Sequence, residues 1–87
     1  MIKYSAILFF DENNYPVIIT GLRHADILEK MFKYKIKYNK DKSIQGFITD
    51  ENQFLDRYEA KKEAKKYNQI IEETKLAELF SEDIWPE

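Results

Sequence analysis

The chain has no cysteine, two glycines, two prolines, one tryptophan and one histidine. Without thiols, disulfides and thiolate metal sites are excluded, and a reducing cytoplasm is the natural setting. Gly21 and Gly46 stand too far apart to form a glycine-rich phosphate loop, and neither a nucleophile elbow nor a catalytic triad can be assembled. A single histidine among scattered acids is too little for a metal site, so no metal and no cofactor is expected. No apolar run approaches the roughly 18–20 residues that span a bilayer, and the first residues lack the layout of a secretion signal. Repeats, low-complexity tracts and internal linkers are also missing.

What is present is aromatic and charged. The 87 residues include six Tyr and six Phe, enough to let one small domain bury a core without staples. The net charge of −2 hides an uneven distribution. Lys33, Lys35, Lys37, Lys40 and Lys42 make a basic middle, whereas Glu72, Glu73, Glu78, Glu82, Asp83 and Glu87 make an acidic end.

The stretch from Ser43 to Tyr67 carries the clearest local signals. Ile44 to Thr49 is β-branched and aromatic enough for a strand, and Gly46 within it implies a bulge or the close approach of another group. Asp50-Glu51-Asn52-Gln53 reads as a hairpin turn, after which Phe54 and Leu55 resume pairing. Asp56, with Glu59 three residues on, forms an acidic capping box that starts a helix. Ala60, Ala64, Tyr67 and Ile71 then recur at helical spacing as a narrow packing stripe. Lys61, Lys62, Lys65 and Lys66 fall on the other side, as a solvated face.

Ile2 to Phe10 reads as a strand with Ile2, Tyr4, Ala6, Leu8 and Phe10 on one face. Ile7 and Phe9 make its second half apolar on both faces, which implies a central position covered on both sides or a buried subunit contact. A turn at Asp11–Asn14 leads to a partner strand over Tyr15–Thr20. A helix then runs from Thr20-Gly21 to about Lys33, its apolar face drawn from Ala25, Ile27, Leu28, Met31 and Phe32. Lys33 to Tyr38 fits either a strand or a helix end followed by a loop, and a short helix is expected over Glu72–Phe80. The order β-β-α-β-β-α plus a C-terminal tail predicts an α+β fold: a small antiparallel sheet with two main helices packed on one face. Two edges in so small a sheet favour a homo-oligomer.

Two clusters carry candidate chemistry. Thr20, Gly21, Arg23, His24 and Asp26 sit where a strand gives way to a helix, whose free N–H groups form an anion site. Arg23 would grip a phosphate or carboxylate, and His24 titrates near neutrality. The plainer reading is a helix cap, an Arg23–Asp26 surface pair and a histidine at the rim of the core. Ser81, Glu82 and Asp83 beside Trp85 form the second cluster, either a ribose- or cation-binding carboxylate pair or simply a pinned tail. Lys33–Lys42 with Tyr34 and Tyr38 is the segment closest to a nucleic-acid surface. Net acidity weighs against that use, as does Arg57 being the one arginine in either basic segment.

The blocks Gly21–Asp26 (GLRHAD), Gln45–Ala60 (QGFITDENQFLDRYEA), Gln69-Ile70 and Leu79–Trp85 (LFSEDIW) together resemble a family of small, mostly uncharacterised proteins encoded by bacteriophages and related mobile elements. The chain departs from that pattern in its Asp-Glu-Asn-Gln turn and at Tyr67-Asn68. The resemblance implies Arg23, His24, Asp26, Phe54, Arg57, Glu59, Ser81, Glu82 and Asp83 as positions to test. The expectation is then a non-enzymatic phage-type protein in the cytoplasm of a bacterial host. It would hold a small anionic, nucleotide-like ligand, with sequestration of a host defence signal as one use. Arg23 and the Thr20-Gly21 backbone would hold the anion, and Ser81-Glu82-Asp83 would close the pocket. Two alternatives stand beside it: an inhibitor that binds a host protein, and a small hydrolase or nucleotide-processing enzyme using His24 as acid/base.

Overall fold

The computed structural model describes residues 1–38, 40–72 and 75–85. Four antiparallel strands make one sheet in the order β2-β1-β3-β4, with β1 at Ile2–Phe10, β2 at Pro16–Gly21, β3 at Ile44–Thr49 and β4 at Phe54–Asp56. Helices α1 (His24–Lys33) and α2 (Arg57–Lys66) both pack on the sheet face that carries Ile7, Phe9 and Phe47, and a four-residue helix α3 (Ser81–Ile84) follows. This is the expected α+β arrangement, with the strand-strand-helix-strand-strand-helix order intact. Among the described residues no helix is long and apolar enough to cross a membrane.

The core has two parts. Ile27 and Met31 of α1 close over Ile7 and Phe9, while Ala60 and Ala64 of α2 meet Ile2, Phe47, Leu79 and Ile84. The small alanines bring α2 close to the sheet, and Asp56 starts it: the Asp56 carboxylate accepts from Glu59 N–H at 2.8 Å, while Glu59 reaches back to Asp56 N–H. At Gly46, the ring of Phe54 and the Leu55 carbonyl oxygen occupy the space a Cβ would need, with Phe54 Cζ 2.6 Å from it. The glycine marks a close approach.

Several expectations are corrected. Pairing shifts between Ile2 and Tyr4, so Lys3 is extra and Ile2 turns to the helix side, into the core with Phe47. Central β1 is therefore roofed by helices on one face only. Strand β2 keeps Thr20 and Gly21 paired with Ala6 and Ser5, so α1 starts at His24 rather than at Thr20-Gly21. On α1 the row Ile27–Met31 is buried, but Phe32 is 86% exposed and Leu28 and Ala25 also face outward. The packing stripe of α2 ends at Ala64: the helix stops at Lys66, leaving Tyr67 and Ile71 exposed. Lys61, assigned to the solvated face, is buried.

Lys33–Tyr38 is a helix end followed by irregular chain, turned at Lys35 by a left-handed φ of 54°. Residues 75–80 are bends and irregular chain, not a helix, and the part of that expected helix at 73–74 lies outside the described residues.

Candidate functional site

His24 opens α1 and Ser81 opens α3, 57 residues later, yet they are in contact. His24 Nε2 lies 2.8 Å from the Gly46 carbonyl oxygen. A carbonyl only accepts, so Nε2 carries the proton and Nδ1 is left as an acceptor. The Ser81 hydroxyl, 2.8 Å from Nδ1, donates to it and at the same time accepts from His24 N–H at 3.2 Å. The ring meets Phe47 edge-on, with centroids 5.0 Å apart. Burial lowers the pKa of His24 from its ordinary value and nearby Arg57 adds to that; the Gly46 and Ala6 carbonyls and Glu82 pull the other way without reversing it.

The structure thus brings His24, Ser81, Arg57 and Glu82 into one region, but closes it with internal bonds. Ser81 consumes the His24 N–H that would otherwise begin an anion site. Both ring nitrogens are engaged by the protein itself. Asp83 is buried: its carboxylate accepts from Phe80 N–H, and its carbonyl from Ile71 and Glu72 N–H at 2.7 and 3.0 Å. Glu82 is exposed. Thr20, paired with Ala6, belongs to the sheet face opposite the helices, whereas Gly21 packs against Ile27. Arg23 is half-buried and Asp26 exposed on the first turn of α1.

Arg57 lies half-buried with its guanidinium 2.8 Å from Glu78 and 5.2 Å from the Phe80 ring centre. It borders a cavity of about 300 Å³ shared with Ser43, Gln45, Asp56, Tyr58 and Glu78. Two carboxylates face one guanidinium there, so the cavity disfavours an anion.

A larger groove lies on the other side of the same anchor. Tyr58, Lys61, Lys62 and Lys65 of α2 form one wall, and Lys75, Leu76 and Ala77 form the other, around a volume of about 820 Å³. No carboxylate is among the described lining residues, in contrast to the Arg57 cavity. The second wall is held at both ends. Leu79 N–H donates to the Arg57 carbonyl and Glu78 pairs with Arg57, while the Asp83 carbonyl takes the N–H groups of Ile71 and Glu72. Of the site residues expected from sequence, His24, Arg57, Ser81 and Asp83 therefore act as the clamp behind this groove, and Thr20, Gly21, Arg23, Asp26 and Glu82 take no part in it. Sequence reasoning placed Lys61, Lys62 and Lys65 on one helix side but had no signal that Lys75–Ala77 folds back beside them.

Among the described residues no three histidine or acidic side chains converge as metal ligands. The family model described as Phage T4 y16D protein matches residues 1–85. No curated protein and no solved structure matches the chain.

Proposed function

The chain belongs to the phage T4 y16D protein family, and from that premise we propose a non-catalytic phage protein that binds a small anionic ligand of the nucleotide class in the groove between α2 and Lys75–Ala77. The observation that carries this reading is the charge of the lining: exposed Lys62, Lys65 and Lys75 beside buried Lys61, with no carboxylate among the described lining residues, around about 820 Å³. Tyr58, 55% exposed at the same groove, offers a ring face on which a base can stack, and the lysines suit phosphates. The clamp of His24, Ser81, Asp83 and Arg57 fixes the far wall before any ligand arrives, which lowers the ordering cost of binding. A short anion fits this electrostatic setting better than a long nucleic acid, because the exposed Glu72 and Glu82 flank the region. Held and not converted, such a ligand would be withdrawn from the host, as sequestration of a defence signal requires.

Isothermal titration against mono-, di- and cyclic dinucleotides tests the reading. At least one should release heat, with affinity falling as salt rises from about 0.05 to about 0.3 M. The exposed Lys62 and Lys75 stand on opposite walls, so Lys62→Glu with Lys75→Glu should weaken binding at least tenfold while leaving the fold unchanged. No heat with any ligand, or equal affinity for the double variant, would overturn it.

A further inference from the structure

The sheet face away from the helices has no covering element among the described residues. It presents Tyr4, Leu8, Ile18, Ile44, Ile48 and Phe54, three of them 42–45% exposed (Tyr4, Ile18 and Ile44). Ala6 and Gly46 lie between these, with the Phe54 ring over Gly46. Charge sits at its margins, where Phe10 borders Asp11, Glu12, Lys37 and Lys42, and Ile44 borders Arg57 and Glu78. Asp56 shares this face by register, but its carboxylate is occupied in capping α2. Lys3 lies at one margin with Nζ 5.4 Å from the Tyr4 ring centre.

We infer that this face is the interface of a homodimer, each copy covering the other's sheet around a two-fold axis. A surface whose middle is apolar and whose charge is confined to the margins gives an unrelated partner little to steer towards, and the occupant of that middle has to be equally apolar. A second copy meets that condition by identity, in the isologous manner of most dimers. The size fits as well. Four strands about 4.8 Å apart and about six residues long give a footprint near ~400 Å² in projection, which side-chain relief and the rim bring towards the ~800 Å² per partner of a standard interface. A patch of about 400 Å² is as large as the largest apolar patch of many soluble monomers, and patches of that size are often functional. Edge-to-edge pairing is the poorer route, since β4 has three residues and β2 begins at Pro16. The apolar alternation of β1 on both faces then has a physical reason: one face meets the helices and the other meets the partner.

Sedimentation velocity from micromolar to sub-millimolar protein reads this directly, with a species of twice 10.5 kDa expected. Ile18→Asp and Ile44→Lys, each at a partly exposed position, should give monomers with an unchanged far-UV circular dichroism spectrum. Phe32→Ser, on the outer side of α1, should leave the dimer intact. Because the chain has no cysteine, Tyr4→Cys supplies a single thiol for a nitroxide label, and two labels brought together in a dimer should show a dipolar coupling that a monomer lacks. That variant decides the matter if the two charged ones do not fold. Wild-type protein that stays monomeric throughout, folded sheet variants that still dimerise, or a labelled Tyr4→Cys protein without dipolar coupling at sub-millimolar concentration would each overturn the inference.

Discussion

Ser81 joins the C-terminal segment to the start of α1 through one hydroxyl that both donates and accepts. Ser81→Ala removes both bonds and leaves His24 N–H and Nδ1 without that partner in a buried place. At about 1–3 kcal/mol for each buried group stranded, the loss should be about 2–6 kcal/mol, read as a fall in the urea midpoint. A loss under about 0.5 kcal/mol would mean that the contact does not hold the segment. His24 adds a pH dependence. Its folded pKa is below the ordinary 6.5, chiefly through burial, so the unfolded chain takes up the proton first. The stability that neutral His24 contributes is therefore complete above about pH 6.5 and is lost as pH falls through that value towards the lower folded one. Denaturation at pH 7.5 and 5.5 should show a larger acid loss for the wild type than for His24→Gln, and equal losses would contradict the assignment.

At the scale of elements, local chemistry was legible wherever it was self-contained. Strand β1 spans the residues its alternation marks, the Asp56–Glu59 box starts α2, and Gly46 marks a close approach. Gly46→Ala should accordingly cost about 3 kcal/mol, because the new methyl overlaps a backbone carbonyl that has no rotamer to change. Thermal unfolding would show it, and an unchanged midpoint would refute the packing described. What the sequence could not show depends on distant partners. Helix α1 begins three residues late because Gly21 is still paired with Ser5 and the Ser5 hydroxyl takes the Leu22 carbonyl. The alanine stripe stops at Ala64 because the chain beyond Lys66 turns, with Asn68 at a φ of 55°. The irregular path of residues 75–80 ends where Leu79 N–H goes to the Arg57 carbonyl, a distant partner no local pattern announces.

For the whole molecule, the sheet divides the surface by chemistry. One side of it is roofed by α1 and α2 and carries a lysine groove; the other is apolar in its middle with charge at its margins. The expectation of an anionic ligand and that of a second copy thus fall on separate surfaces, and the two proposals can fail independently. Sequence reasoning had placed Arg23 and His24 beside Ser81-Glu82-Asp83, and the fold sets His24 against Ser81 with Arg57 and Glu82 nearby. It could not see that their hydrogen bonds close on one another, because that depends on which carbonyl β3 presents to the imidazole. The cationic opening is consequently displaced to the far wall that these residues hold. Backbone amide shifts in a ¹⁵N spectrum, followed while the nucleotide that gives the strongest heat is added, test this placement most directly. Perturbations should cluster at Tyr58–Lys66 and Lys75–Ala77; shifts centred on Leu22–His24 and Ser81–Asp83 instead, or no shifts at all, would contradict it.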